Sequence, residues 1–185
     1  MKLQQEFDIL VIGSGAAGLT LALKLAPFAR IAVLSKGQLT SGSTWLAQGG
    51  VAAVMDSLDV AQNHAADTLN AGSNLSHSDA VNFTVEQGRA SIDWLIEQGV
   101  PFSKENGQLH LTKEGGHSHR RIIHAADSTG KAILNTLIDK VRNEPSITLF
   151  EHCMAIDLIT TQKMGLAGDK CVGAYVLDIN TGSIN

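Results

Sequence analysis

Hydrophobic positions along the chain follow two kinds of pattern, one short and continuous, the other periodic. Phe7, Ile9, Leu10, Val11 and Ile12 form a run broken only by Asp8 that predicts a strand, and Ile31-Ala32-Val33-Leu34 repeats it. The aliphatic stretch from 19 to 25 between these runs predicts a helix. Over 79–98, Val81, Val85, Ile92, Leu95 and Ile96 keep helical spacing, with Asp79 as N-cap and Gly99 just past the end. A helix is also expected over 60–70. Another spans 128–142, with Ile133, Leu134, Leu137, Ile138 and Val141 on one face and Asp127-Ser128-Thr129-Gly130 as its cap. Strands are expected at Ile147–Phe150, 155–160 and 172–179, and Asn106-Gly107 predicts a hairpin turn returning through Leu109-His110-Leu111. The stretch 37–54 follows neither period and has the length of a functional insertion. Thr181-Gly182 reads as one more turn; with the sequence ending at Asn185, the strand before it is expected to keep an unpaired edge.

The glycines between the first strand and the first helix change the picture. Gly13-Ser14-Gly15-Ala16-Ala17-Gly18 has the GxGxxG form, and in a chain with 18 glycines such a match means little by itself. Here it follows a strand, opens a helix and lies in a unit of roughly 30 residues closed by the second strand, which is the dinucleotide-binding context. Gly13 permits the tight turn, Gly15 the approach of a pyrophosphate and Gly18 close helix–strand packing. The helix N-terminus offers free N–H groups and partial positive charge to the phosphates. The acid expected on the ribose about 20 residues on is missing, and Ser35-Lys36 stands there. The fingerprint therefore leaves two ligands open: NADP with Lys36 on its 2′-phosphate, or a flavin dinucleotide with Ser35 and Lys36 at the ribose.

The next segment narrows the choice. Ser43-Thr44-Trp45-Leu46-Ala47-Gln48-Gly49-Gly50 combines hydroxyls, an amide and paired glycines. It can bring N–H donors against a flavin ring, where they stabilise charge on the reduced form. The segment resembles the flavin-contacting loop of the succinate dehydrogenase, fumarate reductase and L-aspartate oxidase flavoproteins. Where membrane-bound members carry a histidine that attaches FAD covalently, this chain has Ser43. The resemblance thus implies non-covalent FAD and points to the soluble aspartate oxidase branch. Val33-Leu34-Ser35-Lys36-Gly37, His64 with Asp67-Thr68 and Gly72, and Gly99-Val100-Pro101-Phe102 agree with the family. Residues 114–121 (Glu-Gly-Gly-His-Ser-His-Arg-Arg) and 124–130 resemble that branch in particular.

The resemblance covers essentially the whole chain and implies an α/β fold: a Rossmann-like FAD-binding domain with a parallel sheet and added β-strands, incomplete here. Residues 1–185 would be the N-terminal part of that domain. The rest of it, a capping domain and a C-terminal helical domain would lie outside, leaving this piece inactive by itself. The implied FAD contacts are Gly13, Ser14, Gly15, Ala16, Ala17, Gly18, Ser35, Lys36, residues 43–50 and the backbone at Met154, the last against the adenine. The implied activity is oxidation of L-aspartate to iminoaspartate, the first step of de novo NAD biosynthesis. Oxygen (giving hydrogen peroxide) or fumarate would accept the electrons, and quinolinate synthase would take the product.

Glu114 is the catalytic-side candidate, since a carboxylate near the flavin can bind a substrate ammonium that succinate lacks. The arginines and histidines that clamp the substrate carboxylates are expected outside this chain. Arg120 and Arg121 are read chiefly as surface salt-bridge formers. His110, His117, His119 and His124 raise a metal alternative, with His117 and His119 on one face of a strand, but no cysteine or carboxylate completes a site, and none is assigned. Net charge of −4 and 4% aromatic residues give no nucleic-acid footprint. No apolar run reaches the roughly 18 residues of a membrane span. The residues before the first strand are too few and too polar for a signal peptide. Cys153 and Cys171 fit reduced thiols in a cytoplasm. Two rivals remain: a soluble fumarate reductase or succinate oxidase of the same family, and an NADP-binding module without redox chemistry.

Overall fold

A computed structural model describes residues 6–73, 75–126 and 128–185. In chain order its elements are β1 (Ile9–Ile12), α1 (Ala16–Leu25), β2 (Ile31–Leu34), a 3-10 turn (Leu39–Ser41), α2 (Ser43–Leu46), β3 (Val51–Ala52), α3 (Ala61–Ala71), α4 (Ser78–Glu86) and α5 (Gly88–Gln98). There follow β4 (Lys104–Glu105), β5 (Gln108–Leu109), β6 (Leu111–Thr112), β7 (Ile122–Ile123), α6 (Thr129–Arg142), β8 (Ile147–Phe150), β9 (Cys153–Thr160) and β10 (Cys171–Asp178). They form two compact units, one of residues up to 45 and from 137 onward, the other of Leu46–Thr136. Asp127, expected to cap α6, lies outside the described residues, as does the polar start at 1–5.

The first unit is the α/β part. Its parallel sheet runs β1-β2-β8, with Ile9 opposite Ile31 and Ile31 opposite Ile147. β2 is central and all four of its residues are buried, which is why its sequence is an unbroken apolar run. Leu19 and Ala22 of α1 are wholly buried, as are Leu137 and Val141 to within a per cent. The hydroxyl of Ser146 donates to the carbonyl of Ala26 at 3.0 Å, tying the chain before β8 to the end of α1. β9 and β10 pair antiparallel as added strands.

The edge expected to stay open beyond β10 is partly paired. Gly182, at φ +68, completes a tight reversal in which its N–H reaches the Asp178 carbonyl at 2.8 Å. Ile184 therefore returns opposite Leu177, and Val176 and Asn185 exchange N–H to carbonyl bonds of 2.9 and 2.8 Å.

The second unit holds the antiparallel sheet β3-β7-β6, the β4–β5 hairpin and helices α3–α5. The hairpin turns through Asn106 and Gly107, both at positive φ as its type requires. The long helix expected over 79–98 is two helices, interrupted at Gln87. Glycine is a weak helix former, and Gly88 lies against Ala53, whose Cβ would stand 3.4 Å from any Cβ added there. His77, not Asp79, occupies the N-cap; Asp79 sits in the first turn, where its charge still complements the helix dipole. Gly99 ends α5 in the left-handed conformation, at φ +97. No helix among the described residues is long and apolar enough to cross a membrane.

Candidate functional site

In the first unit the glycine turn is shaped for an anion. Gly13 takes φ +116, which side chains rarely adopt, while its N–H bonds the Leu34 carbonyl at 2.9 Å. A Cβ at Gly18 would stand 2.0 Å from the Gly13 carbonyl oxygen, so the helix can approach the turn only with glycine there. Gly15 caps α1 in extended conformation without a side-chain cap, and Leu19 is the first residue to bond back to it, at 3.0 Å. The N–H groups of Ala17 and Gly18 precede that first intrahelical bond and point out of the helix end. No acid lies in the first turn. The Thr44 hydroxyl accepts the N–H of Ala16 at 3.1 Å, fixing the start of the 43–50 segment to the turn.

Ser14 donates to the Ser35 hydroxyl at 2.8 Å. Ser35 is buried at the end of β2, its N–H on the Phe150 carbonyl at 2.8 Å and its carbonyl receiving Cys153 N–H at 2.9 Å. This places Met154, the next residue along β9, in the neighbourhood of Ser35 and the exposed Lys36. The candidates Gly13–Gly18, Ser35, Lys36, Thr44 and Met154 are thus brought together at one end of the parallel sheet.

Ser43–Leu46 makes a single helical turn, and Ala47, Gln48 and Gly49 follow as exposed loop in the second unit. The Ala47 carbonyl accepts the N–H of Gly130 at the start of α6, at 3.1 Å. Gly50 lies under β7: a Cβ there would come within 2.3 Å of Ile122 Cγ2 and 2.5 Å of the Ile123 carbonyl. Glu114 opens a turn closed by the His117 N–H on the Glu114 carbonyl at 3.3 Å, with Gly116 at φ +84 in the position that favours glycine. Glu114 is exposed, and a Cβ on Gly49 would stand 4.0 Å from its Oε1. The carboxylate proposed for substrate and the paired glycines of the loop are therefore neighbours.

Arg121 departs from the expectation. It is not a surface residue; its side chain is fully buried and forks onto Asp59, with Nε–Oδ2 at 2.7 Å and Nη2–Oδ1 at 2.9 Å. Its Nη1 also reaches Asp67 Oδ2 at 2.5 Å and His117 Nδ1 at 3.2 Å. The same Asp67 oxygen accepts both the N–H and the hydroxyl of Ser118, each at 2.7 Å. Burial pushes the Asp67 carboxyl upward. The Ser118 N–H, the Arg121 guanidinium and the Ser118 hydroxyl outweigh it and hold the group well below the usual range. Asp59 is lowered in the same way, its burial overcome by Arg121. No local sequence signal marks Asp59, because its partner is 62 residues away. Arg120, in contrast, is exposed and donates to the Leu111 carbonyl at 3.3 Å.

His117 and His119 do not lie on a strand and do not converge. His117 faces Arg121, while His119 Nδ1 pairs with the Ser118 hydroxyl at 2.9 Å and stands 3.5 Å from Asp59. His110 Nδ1 and His124 Nε2 hydrogen-bond to each other at 2.8 Å. His64 is buried beside His117, with ring centres 5.7 Å apart and its Nδ1 without a partner among the described residues. Burial, then the nearby Arg121 charge, lowers its pKa and keeps it neutral.

Comparison with known proteins agrees with this geometry. Residues 8–185 match the family described as FAD binding domain. The chain is 56% identical over 193 aligned residues to L-aspartate oxidase of Pseudomonas aeruginosa, covering 100% of this chain and 36% of that protein. It is 44% identical to the chloroplastic L-aspartate oxidase of Arabidopsis thaliana, covering 96% and 27%. The chain thus spans about a third of the length of these relatives. Among solved structures, the quinol fumarate reductase of E. coli is similar with a TM-score of 0.83 at 29% identity, over 93% of this chain and 29% of that one. A flavocytochrome c3 fumarate reductase shares the fold with a TM-score of 0.81 at 22% identity, over 98% of this chain and 32% of that one.

Proposed function

The chain belongs to the FAD binding domain family, and we propose that it is the nucleotide-holding part of an FAD-dependent L-aspartate oxidase. The observation that carries the reading is the Glu114 carboxylate beside Gly49 of the loop that follows the dinucleotide fingerprint. The 56% identity to an L-aspartate oxidase supports it. In this reading residues 1–185 are the N-terminal part of the FAD-binding domain, and the capping and helical domains belong to the remainder of a longer cytoplasmic enzyme.

The residues present fit the cofactor. The left-handed Gly13, the absent side chain at Gly18 and the outward N–H groups of Ala17 and Gly18 form a cradle for a pyrophosphate. Ser35 and Lys36 would hold the ribose, residues 43–50 the flavin and the backbone at Met154 the adenine. Ser43 carries no imidazole, so attachment would be non-covalent. FAD held there would supply the two-electron acceptor for oxidation of L-aspartate to iminoaspartate, with oxygen (giving hydrogen peroxide) or fumarate as the final acceptor.

Glu114 supplies discrimination. Its carboxylate accepts hydrogen bonds from the substrate ammonium and would face succinate with an unpaired charge. Arginine and histidine clamps for the two substrate carboxylates are expected in the remainder of the enzyme. The product, an unstable imine, is read as the substrate of quinolinate synthase, at the start of de novo NAD synthesis.

The test uses the enzyme at the length of its relatives, loaded with FAD, with aspartate-dependent peroxide formation measured beside succinate-dependent dye reduction. Peroxide from aspartate with succinate inert is the expected result. Succinate turnover with aspartate inert would move the protein to the fumarate reductase branch. NADP binding without FAD binding would leave only a nucleotide module. Glu114→Gln is expected to raise KM for aspartate roughly tenfold or more, the worth of a hydrogen bond to a charged group. It should impair fumarate reduction less; equal loss of both activities would remove Glu114 from substrate recognition.

A further inference from the structure

We propose that Asp67 is a positioning residue for substrate recognition: through Ser118 and Arg121 it sets where the Glu114 carboxylate stands. The inference rests on the reading of Glu114 given above. Residues 113–120 contain neither strand nor helix, so the place of Glu114 is not fixed by a ladder of backbone bonds. Two of the segment's bonds are internal, the turn from Glu114 to His117 and the Lys113 ammonium on the Ser118 carbonyl at 3.1 Å. Neither relates the segment to the rest of its unit.

Ser118 does. Its N–H and hydroxyl converge on one oxygen of Asp67, which projects from α3. That oxygen also takes Arg121 Nη1, and the Arg121 guanidinium is locked from its other side by both oxygens of Asp59. Arg121 directly precedes β7, the strand that closes on Gly50, and its carbonyl accepts the N–H of Ala53 at 3.0 Å. One network, buried at Arg121 and Asp59 and exposed at Ser118, thus holds both the turn that begins at Glu114 and the strand against which Gly49-Gly50 lies. The spacing between Gly49 and Glu114 follows from it. A carboxylate is suited to this place because a single anionic oxygen can accept three strong donors at once, and its bonds to ionised donors are the shorter and firmer kind.

Asp67→Asn keeps the size of the side chain and removes its charge. In the FAD-loaded enzyme at the length of its relatives, the expected result is a rise in KM for L-aspartate of about three- to tenfold with a smaller change in kcat, since a displaced binding group weakens the substrate complex first. The deciding measurement is a double-mutant cycle with Glu114→Gln. If Asp67 acts through Glu114, Asp67→Asn adds nothing to KM once Glu114→Gln is present. Multiplication of the two effects would mean that Asp67 only supports the fold, and the inference falls while the Glu114 reading survives. If Glu114→Gln by itself leaves KM for aspartate unchanged, the Glu114 reading has failed and the inference with it. Should Asp67→Asn lose bound-flavin absorbance, Ser118→Ala takes its place in the cycle, as it removes the hydroxyl bond and leaves the backbone bond; a multiplicative effect there overturns the inference equally.

Discussion

The two units of this chain are stabilised in different ways. In the unit of β1, β2 and β8, the buried side chains are aliphatic, and the one buried polar residue among those described is the neutral Ser35. In the unit of Leu46–Thr136, a guanidinium, a carboxylate and an imidazole are buried as well, in Arg121, Asp59 and His64. An aliphatic core asks only for volume and pattern, and many sequences meet that demand. A buried ion network costs desolvation and returns it only when every donor and acceptor is placed. The first unit is therefore held by apolar pattern and volume, whereas the second fixes particular loops, the Glu114 turn among them.

The contrast can be broken most sharply at its centre. Arg121→Leu leaves Asp59 and Asp67 without their shared cation and is expected to cost about 3–5 kcal/mol. The measurement is urea unfolding, and a loss below about 1 kcal/mol would show that the network does not hold the second unit. Gly18→Ala is next, in the aliphatic unit. The added methyl meets the Gly13 carbonyl, and the expected cost is about 1–3 kcal/mol from overpacking, with weaker FAD binding because the helix end is pushed off the turn. An unchanged melting temperature together with unchanged FAD titration would mean that α1 shifts freely.

The smallest effect is the pH response. His64 has a depressed pKa in the folded protein, so the unfolded chain binds its proton first. Its contribution to stability is full above the ordinary histidine value of about 6.5 and is lost as pH falls through the depressed folded value. The carboxylates of Asp59 and Asp67 add a second loss lower down: their contribution is full above about pH 3.9 and disappears as pH falls through their lowered values. Denaturant unfolding of the native protein and of His64→Gln between neutral pH and about pH 5 separates the two, since only the native chain should weaken in that range. Parallel curves would place the early loss on another group.

Elements whose evidence is local were legible in the sequence. The runs that make β1, β2 and β8 and the face of α6 carrying Ile133, Leu134, Leu137, Ile138 and Val141 appear where their periods put them. The break at Gln87 did not show, because Gly88 answers to Ala53, 35 positions earlier and on another element. The return of Ile184 onto Leu177 leaves no periodic signal, because the tightness of the reversal depends on bonds made by Asp178. Arg120 and Arg121 are neighbours with the same side chain, yet one is exposed and the other fully buried. Nothing in the local sequence separates them.

Local sequence alone dictates the glycine turn of the first unit. A strand, three spaced glycines and a helix fix their geometry through contacts between residues close in the chain, and sterics at Gly13 and Gly18 admit few alternatives. The placing of the polar groups in the second unit depends instead on long-range packing. Arg121 finds Asp59 and Asp67 at separations of 62 and 54 residues, and Glu114 comes to stand beside Gly49 across a comparable stretch. Such pairings have no period to read, because they depend on where separate elements bring the chain back together, and the low-dielectric interior rewards only the arrangement in which every charge is met.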